Sequence, residues 1–183
     1  MKTTAQRQAG ASLIEVLVAV LILSFGMLAL GGMLAYAVQL PRLSAYRAAA
    51  VTIAAAHIER MRANTVGFAN GSYNETMSFR QPLAPSACAY PNCTPDTMAT
   101  ADRYDTNLLL RHDLPGEAGL RMVCNGGDCS TLEGDVWVMW TEPATLASLS
   151  AANSDECPLP GSAPAFAAFI APAPRCLHIK FKL

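Results

Sequence analysis

Hydrophobic positions follow three different rules along this chain. From residue 11 to residue 38 nearly every position is apolar, and residues 16–38 form a run of 23 without a charged side chain. A helix made of that run would be apolar all round. At about 1.5 Å per residue it would cover roughly 34 Å, enough to cross a hydrocarbon core of about 30 Å. The second rule is helical spacing. In "RLSAYRAAAVTIAAAHIERMRAN", Leu43, Tyr46, Ala50, Ile53, His57 or Ile58, and Met61 share one face, and Arg47, Glu59, Arg60 and Arg62 occupy a wetter one. This predicts an amphipathic helix over about residues 42–65, ended by "NTVG", with Pro41 kinking or restarting the chain ahead of it. The third rule is alternation. "DVWVMW" puts Trp137 and Met139 on one side and Val136, Val138 and Trp140 on the other. "TMSFR", "LRMVC" and "CLHIKFKL" also read as strands, the last alternating His178, Lys180 and Lys182 with Ile179, Phe181 and Leu183. "ADRYDTNLLLRHD" fits a strand or a short helix, and we favour the helix, stopped by "LPGEAG". Pro-rich stretches 81–95 and 157–175 read as loops at the sheet edges. The expected fold is α+β, a long N-terminal helix packed on a small antiparallel sheet.

Composition sharpens this picture. The chain has 183 residues, 52% of them hydrophobic and 15% charged, with a net charge of −1. No Lys/Arg cluster marks a nucleic-acid footprint, so nucleic acid is not an expected partner. All six cysteines lie beyond the apolar run, and cysteine-dense small domains belong to oxidising compartments. That places the head outside the cytoplasm, where Lys2 and Arg7 before the span and Arg42 and Arg47 after it leave orientation open. Six cysteines allow fifteen connectivities. The turn formers inside "CAYPNC" and "CNGGDC" favour sequential pairing: Cys88 with Cys93, Cys124 with Cys129, and Cys157 with Cys176. Zinc is the rival for the two C-x4-C units, but zinc ligands more usually come as C-x2-C or with nearby His, so no metal is expected. Serine-hydrolase, zinc-protease, Walker and dinucleotide signatures are absent, which argues against an enzyme and against a cofactor. Asp102, Asp105 and Asp113 lack the EF-hand spacing and read as solvated charges. His57 reads as a partnered structural histidine.

Glu15 is the anomaly, since an ionised carboxylate in a bilayer costs about 2.5 kcal/mol or more. A secretory signal ending at "AYA" (Ala35, Tyr36, Ala37) would have too long an apolar region and would contain this charge. A plain single-pass anchor would let Glu15 snorkel to the headgroups. A third reading comes from resemblance. "RQAGASLIEVLVAVLILSFG" resembles the processing and assembly signal of type IV pilins and type II secretion pseudopilins. The resemblance implies a leader of residues 1–10 cut by a prepilin peptidase between Gly10 and Ala11, and N-methylation of Ala11. It also implies that Glu15, then fifth in the mature chain, pairs with the N-terminal amine of an adjacent subunit. Ala11 departs from the Phe that many members carry there. Residues 11–38 would be the transmembrane and filament-core helix, 39–66 the amphipathic helix of the head, and 67–183 a disulfide-bonded sheet head. Gly26, Gly31 and Gly32 serve either close helix packing or local unwinding.

The start "SLIEVLVAVLILSFGMLAL", the helix ending in "LPG" and the Trp-bearing strand are similar to minor pilins of the PilV type. That resemblance implies a minor type IV pilin that helps to initiate, prime or cap pilus assembly. Its partners would be other minor and major pilins, a tip adhesin, the prepilin peptidase/methylase and the inner membrane. The head would be periplasmic on a single inner-membrane span, and later sit in the pilus, at its tip. A minor pseudopilin of a type II secretion system is the alternative, with a DNA-uptake or adhesive minor pilin behind it.

Overall fold

The structure is a computed structural model that describes residues 12–78, 88–89, 91–143, 157 and 174–183. The chain divides into two units, Met1–Arg42 and Leu43–Leu183. Helix α1, Leu13–Ala63, contributes to both and contains Pro41. Of the kink or restart expected at Pro41, the restart does not occur, because one helix runs through it. Proline there forfeits the bond its N–H would have given to the Ala37 carbonyl and costs about 3 kcal/mol, but the Leu- and Ala-rich turns on either side carry the helix across. Gly26, Gly31 and Gly32 are helical as well.

In the second unit, α1 buries Ala50, Ile53, Ala54, His57, Ile58 and Met61. These positions recur every three or four residues and so lie on one stripe. They share a core with the inward side chains of a four-stranded sheet. The strands are β1 (Thr76–Ser78), β2 (Gly119–Cys124), β3 (Glu133–Trp140) and β4 (Arg175–Lys182), in the order β1-β2-β3-β4. All neighbours are antiparallel. Leu120 pairs with Val138 and Met122 with Val136, while Val136 also pairs with Ile179 and Val138 with Leu177. The inward rows therefore line up across the sheet, and Val136, Val138 and Trp140 are buried against α1's stripe.

α1 ends at Ala63, where "NTVG" was expected to end it, and the same residues then start a further short piece, α2 (Thr65–Ala69). Asn64 caps it, its Oδ1 accepting from Gly67 N at 3.2 Å while its Nδ2 donates to the Pro95 carbonyl at 2.7 Å. The ambiguous segment is helical, but far longer than the short helix expected: α3 runs Pro95–Asp113. It begins with proline in the first turn, behind a capping box in which Thr94 Oγ1 accepts from Thr97 N and Thr97 Oγ1 accepts from Thr94 N. It ends at Leu114, before Pro115.

The cysteines bond as Cys88–Cys93, Cys124–Cys129 and Cys157–Cys176, with Cα separations of 4.9, 4.9 and 5.0 Å. Cys124 ends β2, and its loop turns back through Gly126 and Gly127, both at positive φ. That backbone conformation is cheap only for glycine, which is what lets four residues return the chain to Cys129.

Candidate functional site

Among the described residues, nothing covers α1 in the first unit. Every described residue from 12 to 38 is exposed, Leu13 by 79% and Leu28 by 76%. A helix that is apolar all round and uncovered by its own chain needs lipid or other protein around it. Among the described residues, α1 is the one helix long and apolar enough to cross a membrane. The Ser24 hydroxyl is internally satisfied, donating to the Val20 carbonyl at 2.7 Å, as a membrane-buried hydroxyl requires.

Glu15 lies in the first turn of this helix. The amides of Glu15 and Val16 donate to the Ser12 carbonyl at 3.0 and 3.3 Å, making Ser12 the residue that leads into the helix. Ser-x-x-Glu at a helix start is the sequence form of a capping box. The signal for it in the sequence is "SLIE". Its consequence is electrostatic: the first-turn amides and the helix dipole favour a carboxylate at Glu15 and disfavour a cation just ahead of it. An α-amine placed before Ser12 would therefore depend on a carboxylate. Gly10 and Ala11, where cleavage and methylation are expected, lie outside the described residues.

The head holds a buried polar network whose partners sequence reasoning did not name. His57 is fully buried, its Nδ1 3.0 Å from Thr106 Oγ1. Burial, with the charges of Arg60 and Arg103 behind it, pushes its pKa down from 6.5 to about 3. Thr106 also accepts from Arg60 at 2.8 Å and donates to the Asp102 carbonyl at 2.7 Å. The Tyr73 hydroxyl, itself receiving Asn64 Nδ2 at 3.1 Å, donates to the Asp102 carboxylate. Burial and that carboxylate raise the Tyr73 pKa. The network fastens α1 to α3. Asp102 is thus a structural acceptor, not the solvated charge expected of it. Asp113 lies beside His112 on the surface, and Asp105 is exposed. Among the described residues, no three His, Cys, Asp or Glu side chains converge as a metal site. On the sheet's outer face Trp137 stacks on its cross-strand partner His178, centroids 4.6 Å apart, and His178 Nε2 meets Asp135 at 2.7 Å.

Comparison with protein families gives one finding. Residues 5–31 match the prokaryotic N-terminal methylation motif. No curated protein and no solved structure matches the chain significantly. The matched segment contains Gly10, Ala11 and Glu15 and reaches into the uncovered part of α1. At its N-terminus the chain is therefore similar to type IV prepilins.

Proposed function

We propose that this chain is a minor type IV pilin of the PilV type, a subunit that helps to initiate, prime or cap the pilus. Peptidase cleavage after Gly10 and methylation of Ala11 act on the chain, which performs no chemistry of its own. The span first anchors it in the inner membrane with the disulfide-bonded head in the periplasm, and then enters the filament core beside other minor and major pilins. The observation that carries this reading is a lone carboxylate, Glu15, in the first turn of an uncovered apolar helix and inside the matched motif. Cleavage would place an amine four residues ahead of it, opposite the unfavourable end of the helix dipole. Pairing Glu15 with the amine of a neighbouring subunit answers both charges and fixes the stagger, because any other register leaves two charges unpaired. A minor pseudopilin shares all of this N-terminal physics, and the subunits that co-purify with the chain separate the two.

The test is incorporation. Removing one partner of a buried ion pair costs about 3–5 kcal/mol. Glu15→Ala and Glu15→Gln should leave membrane retention and cleavage intact, while the amount in sheared filaments falls by about tenfold or more. Wild-type incorporation of either variant would remove the pairing argument.

A further inference from the structure

The sheet ends on one side at β4, and no described strand pairs with its far edge. The register shows which groups face that edge. One step beyond the pair Glu133–Lys182, Leu183 N donates to the Leu132 carbonyl at 2.9 Å. That step is hydrogen-bonded, and in an antiparallel ladder every second pair from it is bonded likewise. Phe181 and Ile179 therefore spend their backbone groups on β3, and the amides and carbonyls of His178, Lys180 and Lys182 turn outward. Side chains alternate in the same period. His178, Lys180 and Lys182 stand on the sheet's outer face, where β3 sets Trp137, Asp135 and Glu133 opposite them. His178 Nε2 meets Asp135 at 2.7 Å and Lys182 Nζ donates to Glu133 at 2.7 Å. Lys180 is exposed and forms no ion pair among the described residues. On the inner face Leu177, Ile179 and Phe181 join the core but are only partly buried.

From this edge we infer that β4 takes up an extended segment of another protein, one in which acidic and apolar residues alternate. An unpaired edge strand is a template for further pairing, and β4 is long enough to serve, with 8 residues against the 3 of β1 at the opposite edge. The outward backbone groups of His178, Lys180 and Lys182 supply the main-chain bonds of an added strand. The choice of partner follows from the two faces. On the outer face, an acid opposite Lys180 gains a cross-strand charge pair. On the inner face, an apolar residue continues the layer of Leu177, Ile179 and Phe181. β3 already meets β4 with this pattern, Glu133 and Asp135 on the outer face and Val136 and Val138 on the inner one. A second copy joined β4 to β4 would instead set the row His178, Lys180 and Lys182 against itself, and like charges directly opposite are unfavourable. The basic row thus guards the edge against self-association and leaves it open to an acidic strand. This inference goes beyond the pilin reading and stands whether or not the N-terminus is processed.

The experiment uses the full chain in detergent micelles and reads hydrogen exchange at single backbone amides by NMR. The probe is an end-capped peptide as long as β4 in which Glu and Val alternate. In the free chain the amides of His178, Lys180 and Lys182 should exchange fast and those of Ile179 and Phe181 slowly. Saturating Glu/Val peptide should slow the first set by about tenfold or more. A peptide alternating Lys and Val should bind about tenfold more weakly, and a Glu/Val peptide with its residues gathered into blocks should give no protection. Lys180→Gln, at an exposed position, should weaken binding of the alternating Glu/Val peptide by about twofold to fivefold with unchanged thermal unfolding. Lys180→Pro removes the central outward N–H, a change that an edge strand tolerates, and should abolish binding; if that variant does not fold, Lys180→Gln and the peptide comparison still decide. Slow exchange of the three outward amides in the free chain, no protection by the alternating Glu/Val peptide, equal binding of the Lys/Val peptide, or protection by the block peptide would each overturn the inference. Protection that grows with chain concentration in the absence of peptide would assign the edge to a second copy and overturn the acidic partner.

Discussion

A single side chain, His57, ties the head's stability to pH. Thr106 spends its one hydroxyl proton on the Asp102 carbonyl, so the His57–Thr106 contact places the imidazole proton on Nδ1. Nε2 is then a bare acceptor, buried and without a partner. Protonating it would put a charge in a dry site already facing Arg60 and Arg103. The folded pKa is about 3, against 6.5 for the free side chain, so the unfolded chain takes up the proton first on acidification. The contribution of neutral His57 is therefore complete above about pH 6.5 and is lost as the pH falls from there toward 3. Between pH 7 and pH 5, above the carboxylate range, the chain should lose about 2 kcal/mol of stability. Denaturant unfolding of the full chain in micelles at the two pH values measures this. His57→Leu should be less stable at pH 7 but nearly flat across the interval; a slope equal to the wild type's would show that another group titrates. That His57 is structural was legible from its place beside the apolar face. The depth of its burial was not, because the residues that dry it, above all Thr106, come from a segment whose helical length the sequence left open.

Among the elements, agreement between pattern and structure follows the strength of the period. The stripe from Ala50 to Met61 and the alternation of β3 and β4 recur over many residues, and these elements lie where the pattern put them. The misses are all local. At the start of α3 the cap partner is Thr97 in place of the usual Glu or Gln, so the signal is faint, and most of its residues are polar because the helix meets the core along a narrow edge at Ala99, Thr106, Asn107 and Leu110. At "NTVG" α1 stops as expected, but the pattern did not give the short helix that follows, where the one side chain of Asn64 links α2, Tyr73 and α3. Gly67 is what makes room for it. A Cβ added there would lie 2.5 Å from Asn64 Nδ2 and 2.8 Å from the Pro95 carbonyl. Gly67→Ala should therefore cost about 1–3 kcal/mol despite alanine's better helix propensity. A lowered midpoint in denaturant unfolding would bear this out, and an unchanged or raised one would mean that the cap is dispensable.

At the scale of the whole molecule, two different physical demands are written into one chain. The head satisfies its own core, closes its turns with disulfides and spends its buried polar groups on one another. The first part of α1 satisfies nothing by itself and exposes an apolar surface with one acid at its start. That contrast was plain in the sequence, because charge-free length needs no tertiary information to interpret. The head's role was not legible to the same degree, since surfaces that meet other subunits are built from exposed residues with no period of their own. The central claim is that this chain is a processed pilin subunit, and the mass of its N-terminal peptide, taken from protein isolated from membranes, tests it most directly. The account predicts a chain that begins at N-methylated Ala11, with Glu15 as its fifth residue. A chain beginning at Met1 would make α1 a simple anchor, and one beginning at Val38 would make the whole span a discarded signal; either would contradict the account.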